Sequence, residues 1–161
     1  MIVAACATAT PRPRSNGGAL SQIEAARDLD GHAVGTAARP TLLVVFASWC
    51  ASCRHELDVL AALRTTHPEL RILGIDYRGH EDYDHRGDAA AVRAYVAGIA
   101  PWLRVVPIDD VVFEALGRPP MIPTIFVYDR RGELVATFDR RDRLPPGAAE
   151  LEPLLARITA P

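Results

Sequence analysis

The pattern of apolar and polar positions predicts alternating strands and helices. Residues 41–46 form a continuous apolar run rich in β-branched side chains, which is typical of a central strand covered on both faces. Residues 51–67 place apolar side chains at the spacing of one helix face, and Pro68 ends the pattern. These side chains are Leu57, Leu60, Ala61 and Leu63. The sequence therefore predicts a buried strand that leads directly into an amphipathic helix.

The rest of the chain continues this alternation and predicts an α/β fold. We expect a strand at 70–76, a polar loop at 77–86, a helix from Asp88 to Ile99, a strand at 103–108, a short helix at 112–116 capped by Asp109 or Asp110, hairpin strands at 124–128 and 133–138, and a last helix around 151–158. Pro153 either kinks this last helix or marks its first turn. The order of elements predicts a mixed β-sheet with helices on both faces.

The first 24 residues differ in composition from the remainder. They are rich in Ala, Thr, Pro, Arg, Ser and Gly and show little apolar periodicity. This composition predicts a flexible tether, residues 1–24, ahead of a single folded domain, residues 25–159. Within that domain, Asp30-Gly31 is suited to a tight turn and predicts a small leading hairpin.

Charge and composition exclude several classes of function. The formal net charge is −2, so the broad positive field that attracts nucleic acid is missing, and we expect no nucleic-acid partner. All 18 basic residues are arginine, which excludes chemistry that depends on a lysine Schiff base. Hydrophobic residues make up 49% of the chain and charged residues 24%, as in ordinary globular domains. We therefore expect a soluble protein whose chemistry does not involve lysine.

Two of the three cysteines, Cys50 and Cys53, form a Cys-x-x-Cys pair where the predicted strand meets the predicted helix. The first thiol then lies just outside the helix N-terminus, where unpaired N–H groups and the helix dipole stabilise a thiolate. We therefore predict that Cys50 is the nucleophile, with a lowered pKa, and that Cys53 resolves the mixed disulfide. The alternative is half of a zinc site, which needs a second Cys or His pair, and no further Cys follows Cys53.

Residues 44–57, with Trp49-Cys50-Ala51-Ser52-Cys53 among them, resemble the active-site strand and helix of the thioredoxin superfamily. The resemblance is nearest to the TlpA, ResA and CcmG group of bacterial membrane-anchored reductases. Residues 121–126 resemble the cis-proline segment of the family, and Asp30-Gly31 resembles its leading hairpin. The resemblance covers residues 28–158. It implies a thioredoxin-like mixed β-sheet with helices on both faces and a thiol-disulfide oxidoreductase that uses no cofactor.

The resemblance also implies roles for residues around the cysteines. Pro123 would pack against the Cys pair and the backbone of Ile122 would pair with an extended substrate strand, whereas the alternative is an ordinary loop proline. Trp49 would shield the disulfide, or belong to the core, or both. Glu56 would accept the proton of Cys53, whereas the alternative is a solvated helix glutamate. Because a helix-surface glutamate contributes little to folding, we expect Glu56→Gln to slow turnover more than it changes stability.

Two positions depart from the family pattern and leave the direction of the reaction open. Val44 occupies the place of a buried acid that many thioredoxins carry, and Ser52 stands where the family often has proline. Cys-x-x-Cys proteins span from about −270 mV to about −120 mV, which is enough to reverse the physiological direction. The resemblance favours a reductant of extracytoplasmic protein disulfides, for example in cytochrome c maturation, served by an upstream thiol-disulfide donor.

Cys6 is the cysteine left over from the pair. Residues 1–6 resemble the end of a bacterial lipoprotein signal, in which a small apolar run precedes a Cys that receives lipid, and the alternative is a surface Cys in the tail. We expect the gene to encode a longer signal that ends at Cys6. The product would be a periplasmic or otherwise extracytoplasmic monomer, with a membrane tether through Cys6.

Two other function classes are compatible with parts of this pattern. The motif of thioredoxin-like copper chaperones is Cys-x-x-x-Cys together with a distant His. The spacer between Cys50 and Cys53 is one residue shorter than in that motif. A binding module could keep the fold without turnover. The acidic, His-containing stretch 80–88 suggests a metal site, but we interpret it as a solvated loop because no rigid element fixes its ligands. We therefore predict no metal site.

Overall fold

The computed structural model describes residues 17–139 and 146–159, in which five strands form one mixed β-sheet. The strands are β1 (Thr41–Phe46), β2 (Arg71–Tyr77), β3 (Arg104–Ile108), β4 (Thr124–Tyr128) and β5 (Leu134–Phe138). Their order across the sheet is β3-β2-β1-β4-β5. The helices are α1 (Gly17–Ala25), α2 (Ala51–Thr66), α3 (Arg78–Glu81), α4 (Ala89–Ile99), α5 (Asp110–Ala115) and α6 (Ala148–Thr159), with a 3-10 turn at Tyr83–His85.

Strand β1 is the centre of the sheet, and all six of its residues are buried. It is parallel to β2, with Phe46 opposite Asp76, and antiparallel to β4, with Val45 opposite Thr124. A strand that is covered on both faces has an apolar run in place of an alternating pattern, which explains the sequence of β1. Because β3 is parallel to β2, the carboxyl ends of β1, β2 and β3 meet at one edge of the sheet. The cysteine pair lies at that edge.

Helix α2 follows β1 and carries the buried side chains at helical spacing. These are Cys53, Glu56, Leu57, Leu60 and Leu63. The His67 N–H closes the last turn on the Leu63 carbonyl at 2.9 Å, and Pro68 prevents a further turn. With 16 residues, α2 is the longest described helix. None of the helices in the described ranges is long and apolar enough to cross a membrane.

Apolar side chains form a core on each face of the sheet, because successive residues of β1 point to opposite faces. Val44 and Phe46 belong to the core beneath α2, α4 and α6, which also contains both cysteines. Leu43 and Val45 belong to the other core, which includes residues of α1 and α5. The disulfide thus belongs to the first core and lies at the edge of the sheet where β1, β2 and β3 end.

The tether prediction is wrong for residues 17–24, which belong to α1. Ala19, Leu20 and Ile23 of this helix are buried in the second core, with Ile23 at 0% exposure. A few contacts of small and apolar side chains fix the helix, although its composition resembles that of a linker. The folded domain therefore includes residues before the predicted boundary. Cys6 and its proposed lipid lie outside the described residues.

Two further local predictions need correction, and one open alternative is decided. The predicted loop 77–86 contains α3 and a 3-10 turn. Both are too short to show the apolar periodicity from which a helix is predicted. The hairpin predicted around Asp30-Gly31 is a turn with a single antiparallel bridge, Arg27 to Ala33. Pro153 lies inside α6 and does not mark its first turn. The remaining elements agree with the sequence prediction to within a few residues.

Candidate active site

Cys50 and Cys53 form a disulfide at the junction of β1 and α2, with their Cα atoms 5.2 Å apart. Cys50 is the N-cap of α2: its backbone is extended, and its Sγ accepts a hydrogen bond from the Cys53 N–H at 3.2 Å. Cys50 is 6% exposed, whereas Cys53 is 0% exposed. Of the two cysteines, Cys50 is thus the one that keeps any contact with solvent.

Polar groups around the Cys50 sulfur favour a thiolate there in the reduced protein. The Ser52 hydroxyl lies 3.4 Å from Cys50 Sγ, and the N–H of Cys53 points at the same atom. The positive end of the α2 dipole adds to this effect, since negative charge is stabilised at helix N-termini. These contacts support the assignment of Cys50 as the nucleophile.

We expect alkylation of Cys50 in the reduced protein to show a pH midpoint below about 8.5, the value for a free thiol. The measurement is the rate of reaction with iodoacetamide against pH in Cys53→Ala protein that also carries Cys6→Ser, so that Cys50 is the one thiol left. Ser52→Ala removes one polar neighbour and is expected to raise the midpoint. A midpoint at or above about 8.5 would contradict the stabilised thiolate.

The Ile122–Pro123 peptide bond is cis, and Pro123 is buried immediately before β4. Because Thr124 pairs with Val45 near the end of β1, this segment and the disulfide lie at the same edge of the sheet. The preceding Met121 is 44% exposed. The structure thus places the predicted substrate-binding segment and the cysteine pair, which are far apart in sequence, at one end of the fold.

Trp49, immediately before the nucleophile, is half-buried and held by a distant segment. Its indole Nε1 donates to the carbonyl oxygens of His80, at 3.0 Å, and Glu81, at 3.2 Å. The Arg86 guanidinium lies 5.2 Å from the centre of the indole ring, within the range of a cation–π contact. Trp49 also packs against the first core, which supports its predicted core role, and its shielding of the disulfide stays a prediction.

Glu56 lies in the core and not on the helix surface. It is 0% exposed, on the same face of α2 as Cys53, and neither carboxylate oxygen has a hydrogen-bond partner among the described residues. Burial, and secondly the charge of Glu150, raise the pKa of Glu56 from 4.5 to about 7. The solvated alternative is therefore wrong, as is the premise that Glu56 contributes little to folding. A carboxyl that titrates near neutrality, one turn from Cys53, is suited to exchange a proton with that thiol.

Two further acids, whose burial the sequence analysis did not predict, lie near the Ser48–Trp49 loop that precedes Cys50. Asp76 near the end of β2 is 6% exposed, and Glu81 of α3 is 2% exposed. Burial, and secondly the charge of Glu81, raise the pKa of Asp76 from 3.8 to about 6. The solvated-loop interpretation holds for Asp82 but is wrong for Glu81. No local pattern separates these two residues, because the Glu81 carboxylate bonds to Ser48, 33 residues away.

One group of metal-ligand side chains occurs in the described part of the chain. Asp28, Asp30 and His32 bring ligand atoms within 4.8 Å of one another. Asp28, however, accepts a hydrogen bond from Arg104 Nε at 2.6 Å and others from the N–H groups of Asp30 and His32. Because the guanidinium offsets its charge, this group is better explained as a turn that binds Arg104 than as a cation site.

No protein-family model matches the sequence, and a search of curated proteins finds no match either. Solved structures do match. A secreted Mycobacterium tuberculosis disulfide oxidoreductase homologous to E. coli DsbE is 18% identical, with 85% of this chain and 98% of that chain covered and a TM-score of 0.67. A thioredoxin-like protein from Aeropyrum pernix is 19% identical, with 86% and 93% covered and a TM-score of 0.68. StoA from Bacillus subtilis is 19% identical, with 80% and 92% covered and a TM-score of 0.58. The chain thus has a thioredoxin-like fold, which confirms the prediction of fold.

Proposed function

We propose that this protein is a thiol-disulfide oxidoreductase in which Cys50 and Cys53 are the redox pair. The observation that carries the proposal is a disulfide at a helix N-terminus in which Cys50 keeps 6% exposure and Cys53 has none. This asymmetry separates the attacking thiol from the resolving thiol, as a two-step exchange requires. The thioredoxin-like fold supports the proposal, and one structural neighbour is itself described as a disulfide oxidoreductase.

The geometry suggests the following order of steps in the reductive direction. The Cys50 thiolate attacks a substrate disulfide, a Cys50–substrate disulfide forms, and the other substrate sulfur leaves as a thiolate. Cys53 gives its proton to Glu56 and attacks the Cys50 sulfur, which closes the Cys50–Cys53 disulfide and releases the second substrate thiolate. Two electrons pass from the protein to the substrate. One substrate thiolate takes up the proton that Glu56 returns, and the other takes up a proton from solvent, which had received the Cys50 proton when the thiolate formed.

The surface beside Cys50 is suited to an extended segment of a protein substrate. Met121 is 44% exposed and Tyr83 63% exposed, so apolar side chains remain accessible at this end of the fold. We infer that a substrate strand pairs with the backbone of Ile122, ahead of Pro123, and contacts Trp49 and Met121 through apolar side chains. Protein disulfides are therefore the proposed substrate class.

We further propose that the protein works outside the cytoplasm as a reductant, as its resemblance to the TlpA, ResA and CcmG group implies. An upstream thiol-disulfide donor would return the Cys50–Cys53 disulfide to the dithiol after each turnover. The M. tuberculosis neighbour is described as secreted, which supports this location. A lipid at Cys6 would then tether the protein to the membrane, and disulfides formed during cytochrome c maturation are one candidate set of substrates.

The proposed activity is tested by reduction of insulin with dithiothreitol as the electron source, followed as the turbidity of the released B chain. We expect the wild-type protein and Cys6→Ser to accelerate the reaction equally, since Cys6 lies outside the redox pair. A rate equal to that of dithiothreitol alone would contradict the proposal. Equilibration with glutathione buffers then gives the direction: a potential near about −270 mV supports a reductant, and one near about −120 mV supports an oxidant.

A further inference from the structure

We propose that Glu81 is a positioning residue that holds the Ser48–Trp49 loop, and through it the nucleophile, in a reactive geometry; this rests on the proposed exchange at Cys50. Ser48 lies two residues before Cys50. Its N–H donates a hydrogen bond to Glu81 Oε2 at 2.8 Å, and its hydroxyl donates another to Glu81 Oε1. One carboxylate thus binds both donors of a single residue in the loop.

Glu81 holds the next residue of the loop as well. The Glu81 carbonyl oxygen accepts a hydrogen bond from Trp49 Nε1 at 3.2 Å, and the neighbouring His80 carbonyl accepts one from the same atom at 3.0 Å. The loop then turns, with the Cys50 N–H bonded to the Ala47 carbonyl at 3.1 Å. Two consecutive residues before the nucleophile are therefore fixed to α3 by hydrogen bonds.

The space around the Glu81 carboxylate is shaped to admit it. Glu81 is 2% exposed, and burial of a carboxylate is costly unless it is hydrogen-bonded. Its two bonds from Ser48 are charge-assisted, the stronger class of hydrogen bond. A Cβ at Gly87 would lie 2.0 Å from Glu81 Oε1 and 3.0 Å from Ser48 Oγ. Position 87 must therefore lack a side chain for Glu81 to reach Ser48.

These contacts affect the reactivity of Cys50 because its sulfur must keep a fixed position at the start of α2 in order to react. Its sulfur must stay within reach of the Cys53 N–H, which is 3.2 Å away in the disulfide form. A shift of about 1 Å in a reacting group can cost about 100-fold in rate. Release of Ser48 from Glu81 would allow such a shift, since Ser48 and Cys50 are separated by a single residue. Loss of the contact should therefore slow attack by Cys50.

Two variants test the contact from opposite sides. Glu81→Ala removes the carboxylate, and Gly87→Ala displaces it without changing Glu81. Their matched controls are Asp82→Ala, an exposed acid next to Glu81, and Gly98→Ala, a helical glycine whose added Cβ would meet nothing within 4 Å. Glu81→Gln keeps an oxygen acceptor for the Ser48 N–H and should recover part of the lost rate.

We expect the alkylation rate of Cys50 by iodoacetamide in the reduced protein, and kcat for insulin, to fall by about tenfold in Glu81→Ala and Gly87→Ala. KM and the rates of both controls should stay near the wild-type values. Reactions are run well below the unfolding temperature of each variant, with folding checked by circular dichroism. Should Glu81→Ala not fold, Gly87→Ala and Glu81→Gln decide the outcome by the same rates.

Unchanged alkylation rates in folded Glu81 and Gly87 variants, with or without a lower unfolding temperature, would overturn the proposal, since a merely structural contact predicts that result. A wild-type protein that fails to reduce insulin contradicts the proposed function instead. In that case a slower alkylation of Cys50 in Glu81→Ala still supports positioning. The two proposals therefore fail on different measurements.

Discussion

Cys53→Ala protein, expressed in its native host, is expected to accumulate reducible adducts through Cys50, whereas Cys50→Ala protein accumulates none and has no turnover. Cys50 is the cysteine of the pair that keeps contact with solvent, so attack on a substrate disulfide still creates a covalent link when Cys53 is absent. The link persists because the shielded thiol one turn into α2 is the group that displaces the substrate intramolecularly. The measurement is non-reducing electrophoresis of the captured protein, followed by identification of the partners.

The adducts also identify the physiological direction. Apocytochrome or its assembly factors as dominant partners would support a reductant, and diverse secreted proteins would support an oxidant or isomerase. The comparison is made in a Cys6→Ser background, which removes the third thiol of the chain. Adducts that form equally in both single variants of the pair, or that pass through Cys6 when it is present, would contradict the assignment of nucleophile and resolving thiol.

The central strand and its following helix could be predicted because their signals are local. Residues 41–46 are apolar without interruption, and Pro68 fixes the end of α2, so both elements appear where the sequence places them. The cysteine pair follows from the same two elements, since its place at the strand–helix junction depends on a few adjacent residues. Local patterns therefore located the redox pair and the core of the sheet.

The burial of Glu56 has a signal in the sequence. Cys53, Glu56 and Leu60 are spaced by three and four residues, so they share one face of α2 with the apolar positions. Expecting a charged residue at the surface is a rule about frequency, and burial can override it where an acid takes part in proton transfer. Here the helical spacing was more informative than the residue type.

The role of Glu81 could not be predicted from any local pattern. Its burial depends on Ser48, 33 residues earlier in the chain, and on the absence of a side chain at Gly87. In sequence, Glu81 is one of several acids in a polar stretch, and the exposed Asp82 is its immediate neighbour. Helix α1 is hard to predict for a related reason, since contacts with the second core fix it while its own composition resembles a linker.

Glu56→Gln is expected to stabilise the protein at about pH 8 while having little effect at about pH 4. The folded protein holds the Glu56 proton up to a pKa of about 7, whereas the ordinary value is 4.5, so the wild type loses stability as the pH rises between these two values. This difference corresponds to about 3 kcal/mol in the free energy of unfolding. Because Gln does not titrate, the variant does not lose this stability as the pH rises. Urea denaturation of both proteins at the two pH values measures it, and the similar contribution of Asp76 cancels in the comparison.

The same substitution should slow the resolving step, because Gln cannot accept the Cys53 proton. General-base catalysis typically contributes about 100-fold or more, so we expect a loss of about that size in insulin reduction near neutral pH. Glu150→Gln is the matched control: it keeps Glu56 but removes the charge that helps to raise its pKa, and should shift the pH profile of turnover to lower pH. Equal turnover of wild type and Glu56→Gln across about pH 6 to 8 would exclude proton transfer through Glu56. A Glu56→Gln protein that is slower and yet more stable at about pH 8 would show that the buried carboxyl is retained at a cost to folding.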